Sequence, residues 1–226
     1  MMRKVYGFHK SGTTFYDGFN DCLIKNNKSD YKVDIIRCVV DNYNENIKYI
    51  IHIRNPLDLL VSAFYSFGYT HEYDGTYTYD KYLEQRQQIQ TIGIDLYCSE
   101  YFKITILPLH LELFKWLEKY YDKPNVYISC YEKMKNNFSD YIKEVGFFLD
   151  YDDETINILY QHEKDRNYYK PVNNQDIIEG KIKTHYRNGT SKQYLTDLKP
   201  ETYDFLIKEM NKVIPEYLKK YPEFNL

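Results

Sequence analysis

The chain has 226 residues, long enough for one α/β domain with a sizeable core and tight for two, and its formal net charge is −3. That near-neutral balance gives no electrostatic reason to expect a nucleic acid or an anionic membrane as partner. Aromatic residues reach 18%, including 27 tyrosines, but they are scattered rather than interleaved with a basic stripe, so a base-stacking surface is not indicated either.

Apolar runs of strand length alternate with runs of helical spacing, the pattern of a mostly parallel central sheet flanked by helices in a single domain over residues 1–226. Arg3–Phe8 reads as the first strand and Thr14–Lys25 as the helix after a short loop. Asp34–Val40 and Lys48–Ile53 read as further strands. Leu57–Phe67 carries apolar residues at helical spacing, and Pro56 suits the first turn because its missing N–H has no partner there anyway. Gly68–Thr78, rich in Gly, Tyr and Thr, reads as a mobile loop near the site. Asp80–Gln90 and Leu107–Tyr121 read as helices, Asn125–Cys130 as a buried strand, and Asn137–Leu149 and Glu154–His162 as helices. Asn173–Asn188 has weak periodicity, and Pro200–Lys220 reads as a closing helix interrupted near Pro215.

Between the first strand and its helix stands Gly7-Phe8-His9-Lys10-Ser11-Gly12-Thr13-Thr14-Phe15. Unpaired N–H groups at Ser11 to Thr14 converge on an anion, the helix dipole adds favourable potential, and Lys10 supplies a mobile charge. Gly12 permits close backbone approach. The order differs from the Walker pattern, because the Lys precedes the second Gly and Thr13 takes the place of the Walker Lys. An ordinary strand-to-helix turn is the alternative. The strand Lys48–Ile53 ends in Arg54-Asn55-Pro56, where a nucleotide kinase or GTPase would carry an aspartate for magnesium. Arg54 at that strand end, with the Ser62 hydroxyl in the following helix, suits a phosphate held without a metal. Alone, Arg54 would read as a surface ion pair.

These residues carry a family resemblance. Lys10-Ser-Gly-Thr-Thr-Phe15 resembles the K-S-G-T-T-W loop of the sulfotransferases that use 3′-phosphoadenosine 5′-phosphosulfate (PAPS). Arg54-Asn-Pro-Leu-Asp-Leu-Leu-Val-Ser62 resembles their 3′-phosphate motif, Tyr131-Glu-Lys-Met-Lys135 their Y-E-D-M-K, and Tyr186-Arg187-Asn188-Gly189 with Lys192 their late R-K-G element. The resemblance implies a P-loop-like α/β fold and PAPS as cosubstrate. It implies that Lys10, Ser11, Gly12, Thr13 and Thr14 hold the 5′-phosphosulfate, and that Arg54, Ser62, Arg187 and Gly189 hold the 3′-phosphate. Phe15 would stack on adenine, with a core aromatic as the alternative, and Tyr131 would sit at the adenine edge. Asn188 replaces the Lys of R-K-G, and Glu163-Lys164-Asp165 stands where the family has T-S-F.

Sulfuryl transfer to a hydroxyl or amine needs an in-line pose, charge stabilisation at the leaving phosphate, which Lys10 supplies, and a proton acceptor. The family's cytosolic K-[ST]-H histidine has no counterpart in Arg37-Cys38-Val39-Val40-Asp41. Asp41, at the carboxyl end of its predicted strand, is the preferred base. Asp34, His52 and His9 are the other candidates, and Asp41 as a loop cap is the alternative. The cysteines Cys22, Cys38, Cys98 and Cys130 have no CxxC spacing and the six histidines no ligand spacing, so no metal is expected. Met1 leads almost directly into the first strand and no run of about 18 apolar residues exists, so a soluble cytoplasmic protein without signal peptide or membrane span is expected. The acceptor is expected to be a small molecule or a glycan. Two other functions remain open, a nucleotide kinase or NTPase and a PAPS-binding protein without catalysis.

Overall fold

Strand β1 (Met2–Tyr6) begins a chain order that continues through α1 (Thr14–Lys25), β2 (Asp34–Ile36), β3 (Ile47–Ile53), α2 (Pro56–Tyr65), α3 (Tyr79–Tyr101), α4 (Leu107–Tyr120), β4 (Val126–Cys130), α5 (Tyr131–Asn136), α6 (Phe138–Phe148), α7 (Asp153–Glu163), α8 (Asn174–Ile178), α9 (Tyr194–Asp197) and α10 (Pro200–Asn211). This is a computed structural model that describes residues 1–37, 40–164, 173–181 and 192–224. The chain divides into two compact units, one of Met1–Arg54, Leu109–Asn167 and Pro215–Asn225, the other of Asn55–Pro108, Tyr168–Ile214 and Leu226.

The first unit holds a parallel sheet in the order β2-β1-β3-β4. Parallel strands are covered on both faces and therefore read as near-continuous apolar runs, which is what Tyr49-Ile-Ile-His-Ile53 is apart from His52, with all five side chains buried. Tyr6, Tyr16, Phe19, Leu23 and Tyr141 make the largest fully buried contributions around the sheet. Asn125 fixes the register between β3 and β4, accepting from Tyr43 Oη at 2.7 Å and donating to the Ile47 carbonyl at 2.7 Å. β1 ends two residues before the expected Phe8. The Gly7 N–H still bonds the Ile36 carbonyl at 3.1 Å, and the chain then turns into the loop. β2 is shorter than expected, Asp34–Ile36, and Cys38 and Val39 lie outside the described residues.

In the second unit, α2 starts where Asn55 caps it. The Asn55 side-chain oxygen accepts from Leu57 N–H at 2.9 Å and Asp58 N–H at 3.3 Å, with Pro56 in the first turn. The helix passes into a π-helical turn, Ser66–Thr70, which takes up the start of the expected loop. Helix α3, expected to end at Gln90, continues to Tyr101 across a break at Gly93, whose φ of +74° interrupts the helical path. Helix α10 ends at Asn211, short of Lys220, because Pro215 cannot continue it and biases the residue before it away from helix. Among the described residues no helix is long and apolar enough to cross a membrane.

Candidate functional site

The loop between β1 and α1 is packed tightly from below. A Cβ at Gly7 would stand 2.6 Å from Thr13 Cγ2 and 2.7 Å from Ser11 Oγ, so only glycine fits at the strand exit. Ser11 is buried and both its N–H and its hydroxyl bond the Phe8 carbonyl, at 3.0 and 2.8 Å. The backbone turns left-handed at Lys10 (φ +69°) and at Gly12 (φ +99°) and enters α1 at Thr13. Thr13 makes no side-chain cap, and the first turn closes on its own backbone, with the Phe15 and Tyr16 N–H groups bonding the Gly12 and Thr13 carbonyls at 3.0 and 2.9 Å. Thr13 Oγ1 accepts from Arg37 Nε at 3.2 Å, which leaves its own hydroxyl hydrogen available to a ligand. Lys10, Gly12 and Thr14 are half-buried.

Arg54 leaves the end of β3 and meets this loop. Its Nη1 donates to the Lys10 carbonyl at 2.6 Å, joining two motifs 44 residues apart in sequence. The guanidinium lies 4.4 Å from the centroid of the Tyr131 ring, within cation–π range. Tyr131, the first residue of α5, also supports Gly12, where a Cβ would stand 2.6 Å from its Cδ2. The Lys10 loop, Arg54 and Tyr131 therefore form one contiguous group at the carboxyl ends of β1, β3 and β4, the end where open α/β sheets bind ligands. Arg54 is only 5% exposed.

Phe15 takes the core position. It is 2% exposed and its ring packs on Phe19 at 4.7 Å and against Phe138 and Tyr141 at 5.8 Å. Asp41 is exposed and its carboxylate accepts from Lys4 Nζ at 2.6 Å and Tyr6 Oη at 2.8 Å. The bond from Lys4, then that from Tyr6, holds its carboxyl below the usual range and makes it a weaker proton acceptor than a free carboxylate. Asp34 is exposed at the start of β2, and His9 is exposed beside Lys10.

His52 is 2% exposed, with burial first and the Arg54 charge as a lesser cause lowering its pKa to about 3, so the ring is neutral. Its Nδ1 shares a hydrogen bond with Ser129 Oγ at 2.9 Å, and its Nε2 faces the Ser11–Gly12 backbone without a hydrogen bond of good geometry. Ser129 belongs to a buried triangle of hydroxyls with Tyr16 and Tyr141. His52 is thus built into the support beneath the loop.

Two interactions near the site were not foreseen from sequence. Arg37 pairs with Asp17 at 2.5 Å while donating to Thr13, bringing a further cation to the loop. Glu132, buried beside Tyr131, donates its N–H to Glu223 Oε1 at 3.3 Å. Burial first, then the Glu223 carboxyl, pushes the Glu132 pKa up to about 9, while the Arg54 charge opposes the shift. In the second unit, Ser62 is half-buried about two turns into α2. Arg187 and Gly189 lie outside the described residues.

A profile of the Sulfotransferase domain matches residues 39–222. The chain belongs to the sulfotransferase family. The matched stretch takes in Arg54, Ser62, Tyr131 and Arg187 and begins after the Lys10 loop. Mouse sulfotransferase SULT7A1 complexed with PAP shares 16% identity, with 97% of this chain and 88% of that chain covered and a TM-score of 0.59. Retinol dehydratase in complex with androsterone and inactive cofactor PAP shares 15%, over 99% and 83% of the two chains, with a TM-score of 0.62. Retinol dehydratase with retinol and PAP shares 13%, over 95% and 81%, with a TM-score of 0.56. At these identities the likeness is one of fold, the parallel sheet flanked by helices of this family. A comparison with curated protein sequences gives no match.

Proposed function

We propose that this chain is a metal-independent sulfotransferase, acting as one sulfotransferase-like domain, that moves a sulfuryl group from PAPS to a hydroxyl or amine of a small-molecule or glycan acceptor. The observation that carries this reading is the bond from Arg54 to the Lys10 carbonyl, because it puts the two anion motifs side by side. Lys10 and the Gly12, Thr13 and Thr14 backbone would hold the 5′-phosphosulfate, with Lys10 stabilising charge on the leaving phosphate. Ser11, expected among the ligands, has its N–H and hydroxyl on the Phe8 carbonyl and shapes the turn from beneath. Arg54, with Ser62, Arg187 and Gly189, would hold the 3′-phosphate, and Tyr131 would place the guanidinium. The buried ring of Phe15 suits a role beneath the loop rather than on the adenine. Solved neighbours that hold PAP with androsterone or with retinol support a small alcohol as acceptor class.

The test is transfer of sulfate from PAPS to a panel of phenol, steroid, sugar and amine acceptors in the presence of a chelator. Wild type is expected to turn over at least one class and Lys10→Ala none. Turnover that survives Lys10→Ala would refute the assigned role of that side chain. A second reading, binding of the nucleotide without turnover, is favoured by the engagement of Asp41 with Lys4 and Tyr6. It predicts bisphosphate binding with no transfer to any acceptor.

A further inference from the structure

His52 stands on β3 opposite Ser129 of β4 and is buried. Its Nδ1 lies 2.9 Å from Ser129 Oγ. Ser129 Oγ is in turn 2.8 Å from Tyr141 Oη and 3.2 Å from Tyr16 Oη, and the two tyrosine oxygens are 2.6 Å apart. Each of these hydroxyls carries one hydrogen. If Nδ1 carried the imidazole hydrogen and donated to Ser129, the hydroxyl hydrogens could close every side of the triangle. If Nδ1 accepts, Ser129 gives its hydrogen to the ring and one side must go without. Tyr16 then donates to Tyr141 and Tyr141 to Ser129, and the side left open is Tyr16–Ser129. That side is the longest of the three. The distances therefore assign the imidazole hydrogen to Nε2.

Nε2 is buried and has no hydrogen-bond partner among the described residues. It stands 3.3 Å from where a Gly12 Cβ would be, and the Ser11 backbone beside it favours the charged ring, as only an acceptor does. That acceptor is the Ser11 carbonyl, because the Ser11 N–H is committed to Phe8. In a trans peptide the carbonyl and the following N–H point in opposite directions. A donor that draws the Ser11 carbonyl toward the buried ring therefore turns the Gly12 N–H away from it. We infer that His52 is a positioning residue for the 5′-phosphate: its Nε2–H, oriented through Ser129 by Tyr16 and Tyr141, closes on the Ser11 carbonyl and aims the Gly12 N–H at the ligand anion. The inference rests on the nucleotide reading above. An unpaired buried donor is costly, so closing this bond as the anion takes the Gly12 N–H favours the liganded loop. His52 touches no ligand itself, and all of these residues lie within the first unit.

Nitrogen-15 NMR of the histidine-labelled full chain reads the tautomer without any variant. The free protein is expected to carry the His52 hydrogen on Nε2, and that proton is expected to move downfield when adenosine 3′,5′-bisphosphate is added. A hydrogen on Nδ1, or an Nε2 proton that the bound bisphosphate leaves in place, overturns the inference. Ligand selectivity then separates positioning from packing. Kd values for the bisphosphate and for adenosine 3′-monophosphate, which lacks the 5′-phosphate, are measured on wild type, His52→Leu and His52→Gln. Leucine fills the space without a donor, whereas the glutamine amide restores one. His52→Leu is expected to weaken the bisphosphate about tenfold, the scale of one hydrogen bond, and the monophosphate by no more than about twofold. His52→Gln is expected to recover most of the loss. Equal loss for both ligands, or no recovery with glutamine, is the mark of packing alone and overturns the inference. Absence of bisphosphate binding by wild type overturns the nucleotide reading and this inference together. Bisphosphate binding that His52→Leu leaves unchanged overturns this inference alone.

Discussion

Gly12→Ala is expected to damage the loop between β1 and α1 in two separable ways. At φ +99° an alanine sits in backbone space that L side chains avoid, at a cost of roughly 1–2 kcal/mol. Its Cβ would also stand 2.6 and 2.9 Å from Cδ2 and Cε2 of Tyr131 and 3.3 Å from His52 Nε2. The Tyr131 ring is backed by the Arg54 guanidinium at 4.4 Å and cannot retreat freely, so overpacking adds about 1–3 kcal/mol. The sum, about 2–5 kcal/mol, corresponds to a fall in Tm of roughly 4–20 °C for a chain of this size. Denaturant unfolding of Gly12→Ala, Tyr131→Ala and the double variant tests the partition. The cycle should show a coupling of about 1–3 kcal/mol from relief of the overlap, while the backbone strain persists. A Gly12→Ala protein within about 0.5 kcal/mol of wild type, or additive single variants, would refute this packing of loop on ring.

The Glu132–Glu223 pair gives stability a definite pH slope. Because the folded pKa of Glu132 is raised to about 9 from 4.5, the folded state holds a proton that the unfolded chain releases, and its contribution to stability declines as pH rises across that span. Thermal melts should show the decline in wild type and a flatter profile in Glu132→Gln, which retains the neutral shape; identical profiles would remove the proton from the explanation. Asp41→Asn should change stability by no more than about 1 kcal/mol, since its pair with Lys4 is half exposed. If Asp41 takes the acceptor proton, the same variant loses about 10²–10⁴ in kcat, whereas unchanged kcat would exclude it as the base.

The local rules of the sequence found most of the first unit. Helix α1 has its expected bounds, and β3 and β4 differ from expectation by one residue, because a glycine-bearing strand-to-helix turn and buried apolar runs leave little freedom. In the second unit the helix predicted to stop at Gln90 does break close by, at Gly93, but the chain resumes its helix beyond that residue and stacks Tyr97 on Tyr101. The π-helical turns Ser66–Thr70 and Phe102–Ile106 carry no periodic signal that would separate them from helix or loop. The anion motifs were legible as motifs, but the interactions that make them a site were not. Arg54 reaches Lys10 across 44 residues, Glu223 reaches Glu132 across 91, and Ser129 meets His52 across 77. No local pattern encodes such pairings, and the inward turn of Phe15 was one of two alternatives that only packing could decide.

The most direct measurement is a calorimetric titration of the full chain with adenosine 3′,5′-bisphosphate in the presence of EDTA. Saturable binding that survives the chelator and is weakened about tenfold or more by Arg54→Ala is the expected result if Arg54 holds the 3′-phosphate as proposed, because the variant lacks that charge-assisted donor. Absence of binding under these conditions, together with clear binding of ATP that depends on magnesium, would contradict a bisphosphorylated nucleotide held without metal and return the chain to the nucleotide-kinase reading.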